Sequence, residues 1–492
     1  MPAILHRVPR PLLALWGVLL VVTVAWALFL PPWQSPDESQ HFAYAQSVAE
    51  RFVLPGDRTR KTFSTEQALA DNRSRTGREG RIPGAEWRPE AFTAWQEKEA
   101  KLPAPARSDG GGRNTAAANP PLYYLYVALP YRVFDGASIL GRLEAMRIWS
   151  GLLLLVTATA TWLLAGDLLG RSRTLQLAAA ATAGLAPMTT FMSASVNPDA
   201  LLYALWSLAL WLGVRILKRG LTLADAAGLF AVVGLAVTTK ATSYALVPAA
   251  LLVLTIGLWR LRRRALRAAL VAALVAAAAF AIPAGTWVVA ARSLHRPTVN
   301  QVTTATDTDN GVPLKARNTF NVRGFVSYVR QFYLPNPRSN GALFPSTLPV
   351  YSVWFKGAWG VFGWRQLRLA PAAFFVLAAL CLAALVAAGV AIARGRVALD
   401  LPTVAFLVLA SVGLLLVLHV TEYRVIFVAK ERGDFNQGRY LLPLVPLGGV
   451  VVAGALSLLR PRRRAHAVGA LLAVLVTLQL LALGTVAEWF YA

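Results

Sequence analysis

The chain has 492 residues, 56% of them hydrophobic and only 15% charged, with a formal net charge of +25. That composition is too apolar for several soluble domains of ordinary make-up, so the bilayer must be the main solvent. The positive charge does not point to nucleic acid, because the basic residues fall in short clusters between apolar runs and not along one soluble face.

In chain order, the first apolar run covers residues 11–30. It approaches the roughly 20 apolar residues that cross a hydrocarbon core of about 30 Å. It is long, has no small-residue cleavage pattern and ends in Pro31-Pro32-Trp33, so a retained first span is expected and not a cleaved leader. Runs at 175–192, 265–291, 369–393 and around 451–458 read the same way. Arg7 and Arg10, Arg171 and Arg173, Arg215 with Lys218 and Arg219, and the clusters at 260–267, 394–396 and 460–464 are assigned to the cytoplasm. The whole stretch 31–142 then stays outside, which makes 120–134, with its internal Pro130, a short interfacial or re-entrant helix. Loop-charge bookkeeping gives about eleven spans in the cytoplasmic (inner) membrane, N-terminus inside and C-terminus outside.

The expected divisions are a tail and first span (1–30), an extracytoplasmic loop with juxtamembrane helices (31–142), a transmembrane bundle (143–291), a second extracytoplasmic loop (292–366) and a C-terminal bundle (367–492). Both outer loops are too long for simple connectors, and loops of that kind usually bind or catalyse. The first is sharply mixed in charge at 73–88, and Gly110-Gly111-Gly112 suggests that part of it is mobile. Its Trp87, Phe92 and Trp95 suggest a small amphipathic helix on the membrane. The lone cysteine, Cys381, lies inside an apolar run and reads as packing, so no intrachain disulfide staples these loops.

The informative sequence begins where the chain leaves the first span, at Ser35-Pro36-Asp37-Glu38-Ser39-Gln40-His41. It reads as a helix start, with Ser35 as N-cap, Pro36 at the first position and Glu38 completing a capping box. Asp37 and His41 then share one face. That structural reading stands beside a catalytic one. Outside the cell nucleotide-activated donors are absent, which leaves lipid-linked donors, and a carboxylate at the outer surface can take the proton of an acceptor hydroxyl while cations stabilise a departing phosphate. Asp37 would be the base, with Glu38 or His41 orienting it or binding acceptor. Lys240, in the short turn 238–242, and Arg439, in Gln437-Gly438-Arg439-Tyr440, would supply the cations, although both types of residue also snorkel at span ends without any ligand. Around Arg439, Glu422, Arg424, Lys430, Glu431, Arg432 and Asp434 could equally form a structural ion-pair cluster, and Gly438 permits a tight turn. Asn197-Pro198-Asp199 opens another span, either as an Asx-type cap or as a substrate contact.

Pro36-Asp37-Glu38 with His41, Asn119-Pro120-Pro121-Leu122-Tyr123-Tyr124, Asn197-Pro198-Asp199 and Gln437-Gly438-Arg439-Tyr440-Leu441-Leu442-Pro443 follow one another in an order that resembles the GT-C glycosyltransferases. More closely, they resemble a bacterial family of predicted membrane proteins placed near the protein mannosyltransferases and the lipid A aminoarabinose transferase. The resemblance spans nearly the whole chain. It implies an all-α polytopic fold with juxtamembrane helices in the first outer loop, an acceptor-contacting acid at Asp37 with Glu38 in the same motif, and a polyprenyl-phosphate sugar donor. The acceptor would be an extracytoplasmic glycan or glycolipid. Tyr124 falls on the paired-proline helix, and Arg147 matches an arginine that similar proteins often carry at the next span. The turn 359–364, with Trp359, Phe362 and Trp364, either covers the sugar or belongs to an interfacial aromatic belt. Relatives differ in their use of a divalent ion. Asp37, Glu38 and His41 could supply ligands, but three adjacent candidates on one helix turn do not make a site, and no required metal is expected.

The competing class is a transporter or lipid flippase, which needs ionisable residues deep in the spans or discontinuous helices at the midplane. Asp225, His419 and Glu144, close to Arg147, are the few candidates. A non-catalytic scaffold for envelope assembly is the third reading.

Overall fold

A computed structural model describes residues 8–57, 59–74, 89–112, 114–262, 265–293, 318–334, 348–428 and 436–492. Apart from a two-residue antiparallel hairpin that pairs Val361 with Arg368 and Phe362 with Leu367, the described residues with regular structure are helical. Among the described residues nine helices are long and apolar enough to cross a membrane, beginning with Arg10–Phe29, whose 20 residues match the hydrocarbon thickness. About eleven were expected; two further stretches are shorter than a span as single helices. One is the 15-residue helix Leu223–Val237. The other is the pair Arg173–Leu185 and Pro187–Ser193, broken at Ala186, whose backbone turns extended (φ −64°, ψ 126°) ahead of Pro187.

The carbonyls freed at that break are not left bare. Thr190 donates its hydroxyl to the Gly184 carbonyl at 2.9 Å. Gln479, from the last helix, donates its amide to the Leu185 carbonyl at 3.0 Å and accepts from the Trp26 indole at 2.8 Å. One buried glutamine therefore ties the first, broken and last helices together, the kind of internal satisfaction that a hydrocarbon solvent demands.

Loops expected on one side of the membrane meet in space. Arg219 pairs with Asp167, Lys218 with Asp400 at 3.2 Å, and Ala398 donates to the Leu168 carbonyl at 2.8 Å. The segment after the first span folds at the other end of the bundle as the helices Glu38–Arg51, Thr65–Ser74, Pro89–Glu99 and Leu122–Val133. The last has 12 residues with Pro130 inside, too short to span, in keeping with an interfacial or re-entrant element.

A buried ionic cluster holds this outer unit to the next span. Arg142, fully buried, reaches the Glu66 carboxylate at 2.6 Å and that of Glu99 at 3.4 Å, and also bonds the Tyr131 hydroxyl. The glycine run does not behave as the mobile tether its composition suggested. Gly112 donates to Lys61 O at 2.7 Å, Gly111 O accepts from Gly56, and a Cβ at Gly110 or Gly112 would collide with the backbone of residues 60–64. The glycines are there for close packing. Trp95 is buried in the same unit and does not face a membrane, whereas Trp87 and the side chain of Phe92 lie outside the described residues, as does most of the charge-mixed run at 73–88.

In the second loop the helix Val322–Tyr333 lays Tyr328 and Phe332 against Trp354 and Tyr423. His419 sits among them, bonded to Tyr328 and Tyr333 hydroxyls at 3.2 and 3.0 Å.

Candidate functional site

The chain leaves the first helix through two tight turns, with Gln34 N bonded to Pro31 O and Glu38 N to Ser35 O. Trp33 and Asp37 both take left-handed backbone conformations, at φ 58° and 61°. Asp37 is the N-cap and the helix begins at Glu38, so Ser35 does not cap it and no capping box forms. The reason is that the Glu38 carboxylate has a stronger claimant. Arg147 grips it through two nitrogens, at 2.9 and 2.5 Å, and the Val196 amide donates to it at 3.0 Å. Arg147 also donates to the carbonyls of Ala27, Leu30 and Pro31, and both side chains are buried. A bidentate, desolvated pair of this kind fixes geometry more firmly than an exposed cap.

With Glu38 fixed, Asp37 faces Arg439. Arg439 Nη2 lies 2.8 Å from Asp37 Oδ2, across 402 residues of sequence. Arg439 is 4% exposed and Asp37 41%, so the cation sits inside and the acid opens outward. Water stripped from Asp37 works to raise its pKa, but Arg439, the hydrogen bond it makes and Lys240 outweigh that and hold the carboxyl below its usual value.

The remaining motifs close around this pair. Asn197 donates its side-chain amide to Pro36 O at 3.1 Å and accepts from Asp199 N at 3.0 Å, so its cap role and its contact with the acidic motif are one arrangement. Lys240 Nζ lies 2.6 Å from Asp199 Oδ1 and 4.7 Å from the centre of the Tyr440 ring, while Arg439 lies 5.1 Å from the same ring. His41 Nδ1 is 2.8 Å from the Tyr124 hydroxyl, to which Asn119 also donates, and Tyr44 stacks on Tyr124 at 3.5 Å. Burial lowers His41 to about 4, with Lys240 and Arg439 adding to the effect and Asp37 opposing it, so its ring is neutral near pH 7.

Gln437, half-buried, and Arg439 line a cavity of about 60 Å³ together with Pro36, Lys356, Arg365 and Arg368. Gly438 was expected to serve a tight turn. Its φ is not positive, and the demand is steric: a Cβ there would meet Gly357 and Ala358 backbone, because the two segments cross with no room for a side chain. The sequence reading missed Lys356, Arg365, Arg368, Tyr203, which donates to Arg439 O at 3.1 Å, and Asn436, bonded to Glu422 at 2.6 Å. The two arginines directly follow the aromatic turn 359–364. That turn packs inward: Phe362 lies between Trp26 and Phe191 at 5.4 Å from each, and the Trp364 indole donates to Trp33 O at 3.1 Å. Of the charges expected around Arg439, Lys430, Glu431, Arg432 and Asp434 lie outside the described residues, and Arg424 stands over the Phe320 ring. Among the described residues no three metal-ligating side chains converge.

The sequence model of a family described as a predicted membrane protein (DUF2142) matches residues 20–448. No protein with a curated description matches the chain. Among solved structures, ArnT from Cupriavidus metallidurans in the apo state is 15% identical over 97% of this chain and 73% of its own, with a TM-score of 0.46. ArnT bound to undecaprenyl phosphate gives 13%, 97%, 74% and 0.45. The archaeal oligosaccharyltransferase AglB from Archaeoglobus fulgidus, in complex with an inhibitory peptide and a dolichol-phosphate, gives 11%, 97%, 56% and 0.46.

Proposed function

The chain belongs to the DUF2142 family of predicted membrane proteins, and within that membrane frame we propose that it is a glycosyltransferase moving a sugar from a polyprenyl-phosphate-linked donor to a cell-envelope acceptor outside the cytoplasmic membrane. The observation that carries this reading is the 2.8 Å pair of Asp37 with Arg439 at the exit of the first span. Four motifs, far apart in sequence, meet around an outward-opening acid and the buried Arg439, with Lys240 beside Tyr440.

In the proposed step the Asp37 carboxylate takes the acceptor hydroxyl proton, the acceptor oxygen forms a bond to the sugar's anomeric carbon, and the bond from that carbon to the phosphate oxygen breaks. The electron pair leaves with the polyprenyl phosphate, whose charge is met by Arg439 in a field to which Lys240 contributes. While Arg439 is shared with Asp37 the acid is a weak base. A bound donor phosphate competes for the same guanidinium, and Asp37 gains basicity as its cation is drawn away. His41 and Tyr124 form a neutral wall on the acceptor side, and Asn197, Asp199, Gln437 and Tyr440 position the cations. Glu38, with both carboxylate oxygens engaged, orients Asp37 through the backbone. The reading requires no metal, since side-chain cations answer the phosphate.

A transporter would place ionisable residues deep in the spans or at a discontinuous helix. Among the described residues the break at Ala186 carries no ionisable side chain, the Gly184 and Leu185 carbonyls there are bonded by Thr190 and Gln479, and Asp225 is paired with Arg215 at 2.8 Å. The test is a deletion strain analysed by mass spectrometry. Polyprenyl-phosphate sugar should accumulate and be cleared by the wild-type gene but not by an inserted, folded Asp37→Asn variant. Unchanged lipid-linked sugars in the deletion strain would remove the transferase reading, and full complementation by the variant would remove Asp37 as the base.

A further inference from the structure

Resting on the transferase reading, we propose that the cavity bounded by Lys356, Arg365, Arg368 and Arg439 is the seat of the carrier's phosphate group, an anion site built mainly by the second loop. The 13 residues lining that cavity include these four cations and no acid, with Asn436 and Gln437 as neutral hydrogen-bonding groups. Cations gathered on one wall raise the local potential in favour of an anion.

Arg439 gives the second, independent sign. It is 4% exposed, its Nη2 is spent on Asp37, and its Nε and Nη1 are buried with no hydrogen-bond partner among the described residues. A buried guanidinium with two unanswered nitrogens carries a desolvation cost that a phosphate oxygen would relieve. Lys240 cannot play the same part, since its ammonium is 2.6 Å from Asp199.

Placement and size agree. The hairpin residues precede the span Pro371–Ala393 directly, so the cavity lies at a membrane boundary, where a lipid phosphate sits. The Trp364–Trp33 bond and the side-chain-free crossing of Gly357 and Gly438 pin the loop beside Pro36, the neighbour of Asp37. The cavity, about 60 Å³, has room for a small tetrahedral anion.

The experiment is equilibrium binding of undecaprenyl phosphate to the purified full-length protein in phosphatidylcholine nanodiscs, with inorganic phosphate measured in parallel. The Arg365→Gln, Arg368→Gln double variant should weaken lipid-phosphate binding by at least about tenfold. Arg365→Lys, Arg368→Lys should keep part of it, and Arg396→Gln, an exposed arginine at the far end, should bind as wild type. If the double variant does not fold, as judged by gel filtration and thermal transition, Lys356→Gln carries the same expectation. Wild-type affinity in a folded hairpin variant overturns the seat, as does loss of inorganic phosphate alone with lipid affinity unchanged. Binding is also measured on Asp37→Asn. Transfer surviving in that variant would overturn the catalytic base and leave the phosphate seat standing, whereas binding indifferent to the hairpin would overturn the seat and leave the transferase reading intact.

Discussion

Glu38 and Arg147 form a buried two-pronged ion pair, with contacts of 2.9 and 2.5 Å, that ties the start of the outer helix to the carbonyls ending the first span. Its neighbour Asp37 is aimed by this lock. Glu38→Gln or Arg147→Met alone should destabilise the protein by roughly 3–5 kcal/mol, because each leaves a buried charge unanswered. The double variant should recover much of that loss. Thermal unfolding in detergent, arranged as a double-mutant cycle, measures the coupling, and additive losses would mean that the pair is not coupled.

Gly438→Ala should cost about 2 kcal/mol or more and abolish transfer, since the new methyl would press on Gly357 and Ala358 backbone and displace Arg439. Gly357→Ala tests the same crossing from the other side, where the added carbon would lie 2.8 Å from Gly438 N. By contrast Gly448→Ala, with open space around it and ten residues further on, should be silent in stability and transfer.

His41 has its pKa lowered from 6.5 to about 4, so the folded state holds fewer protons than the unfolded state between those values. Its contribution to stability is whole above pH 6.5 and is lost as the pH falls towards 4, by a total of roughly 3 kcal/mol. Asp37 has the opposite charge type and is held below its ordinary 3.8, so its contribution is lost only under that pH and stays outside this window. Unfolding curves between pH 4.5 and 7.5 should therefore slope downward on acidification, and His41→Gln should make that slope shallower. A variant that keeps the wild-type slope would remove His41 as its source.

Chelation gives a different kind of test. With the phosphate answered by Arg439 and the hairpin cations, prolonged EDTA treatment should leave transfer within about twofold of the untreated enzyme; a loss restored by a divalent ion would return Asp37 to the list of metal ligands.

Much of this arrangement was legible in the sequence, for reasons that differ by residue. The spans follow from length and apolarity, and even the short helix Leu122–Val133 was visible as too brief to cross. The four motifs each stood at a membrane boundary, and contacts such as Arg439 with Asp37, Asn197 with Pro36 and His41 with Tyr124 bring them together. What stayed hidden were long-range claims on local patterns. Ser35 and Glu38 have the spacing of a capping box, but Arg147, 109 residues away, takes the carboxylate and moves the helix start to Asp37. Lys240 read as a free cation because its partner Asp199 looked like a cap. Gly438 read as a turn residue because close backbone crossing leaves no sequence trace. Arg365 and Arg368 went unnoticed because the aromatic residues just before them invited a membrane-belt explanation.

The pair at the centre of the site makes the most discriminating prediction. Asp37→Asn keeps the shape of the side chain and removes only its charge, so it should lower kcat by two to four orders of magnitude, the usual span for a lost general base, with the KM for lipid-linked donor unchanged or lower. The lower value follows from geometry, because Arg439, released from its 2.8 Å contact, is free to meet the donor phosphate. Arg439→Gln should instead raise KM for the donor and lower kcat as well, since its cation is engaged both before and during departure of the phosphate. A donor analogue with a weaker leaving group should then suffer more from Arg439→Gln than from Asp37→Asn. Equal kcat and KM responses in the two variants would mean that the acid and the cation act only as a structural pair.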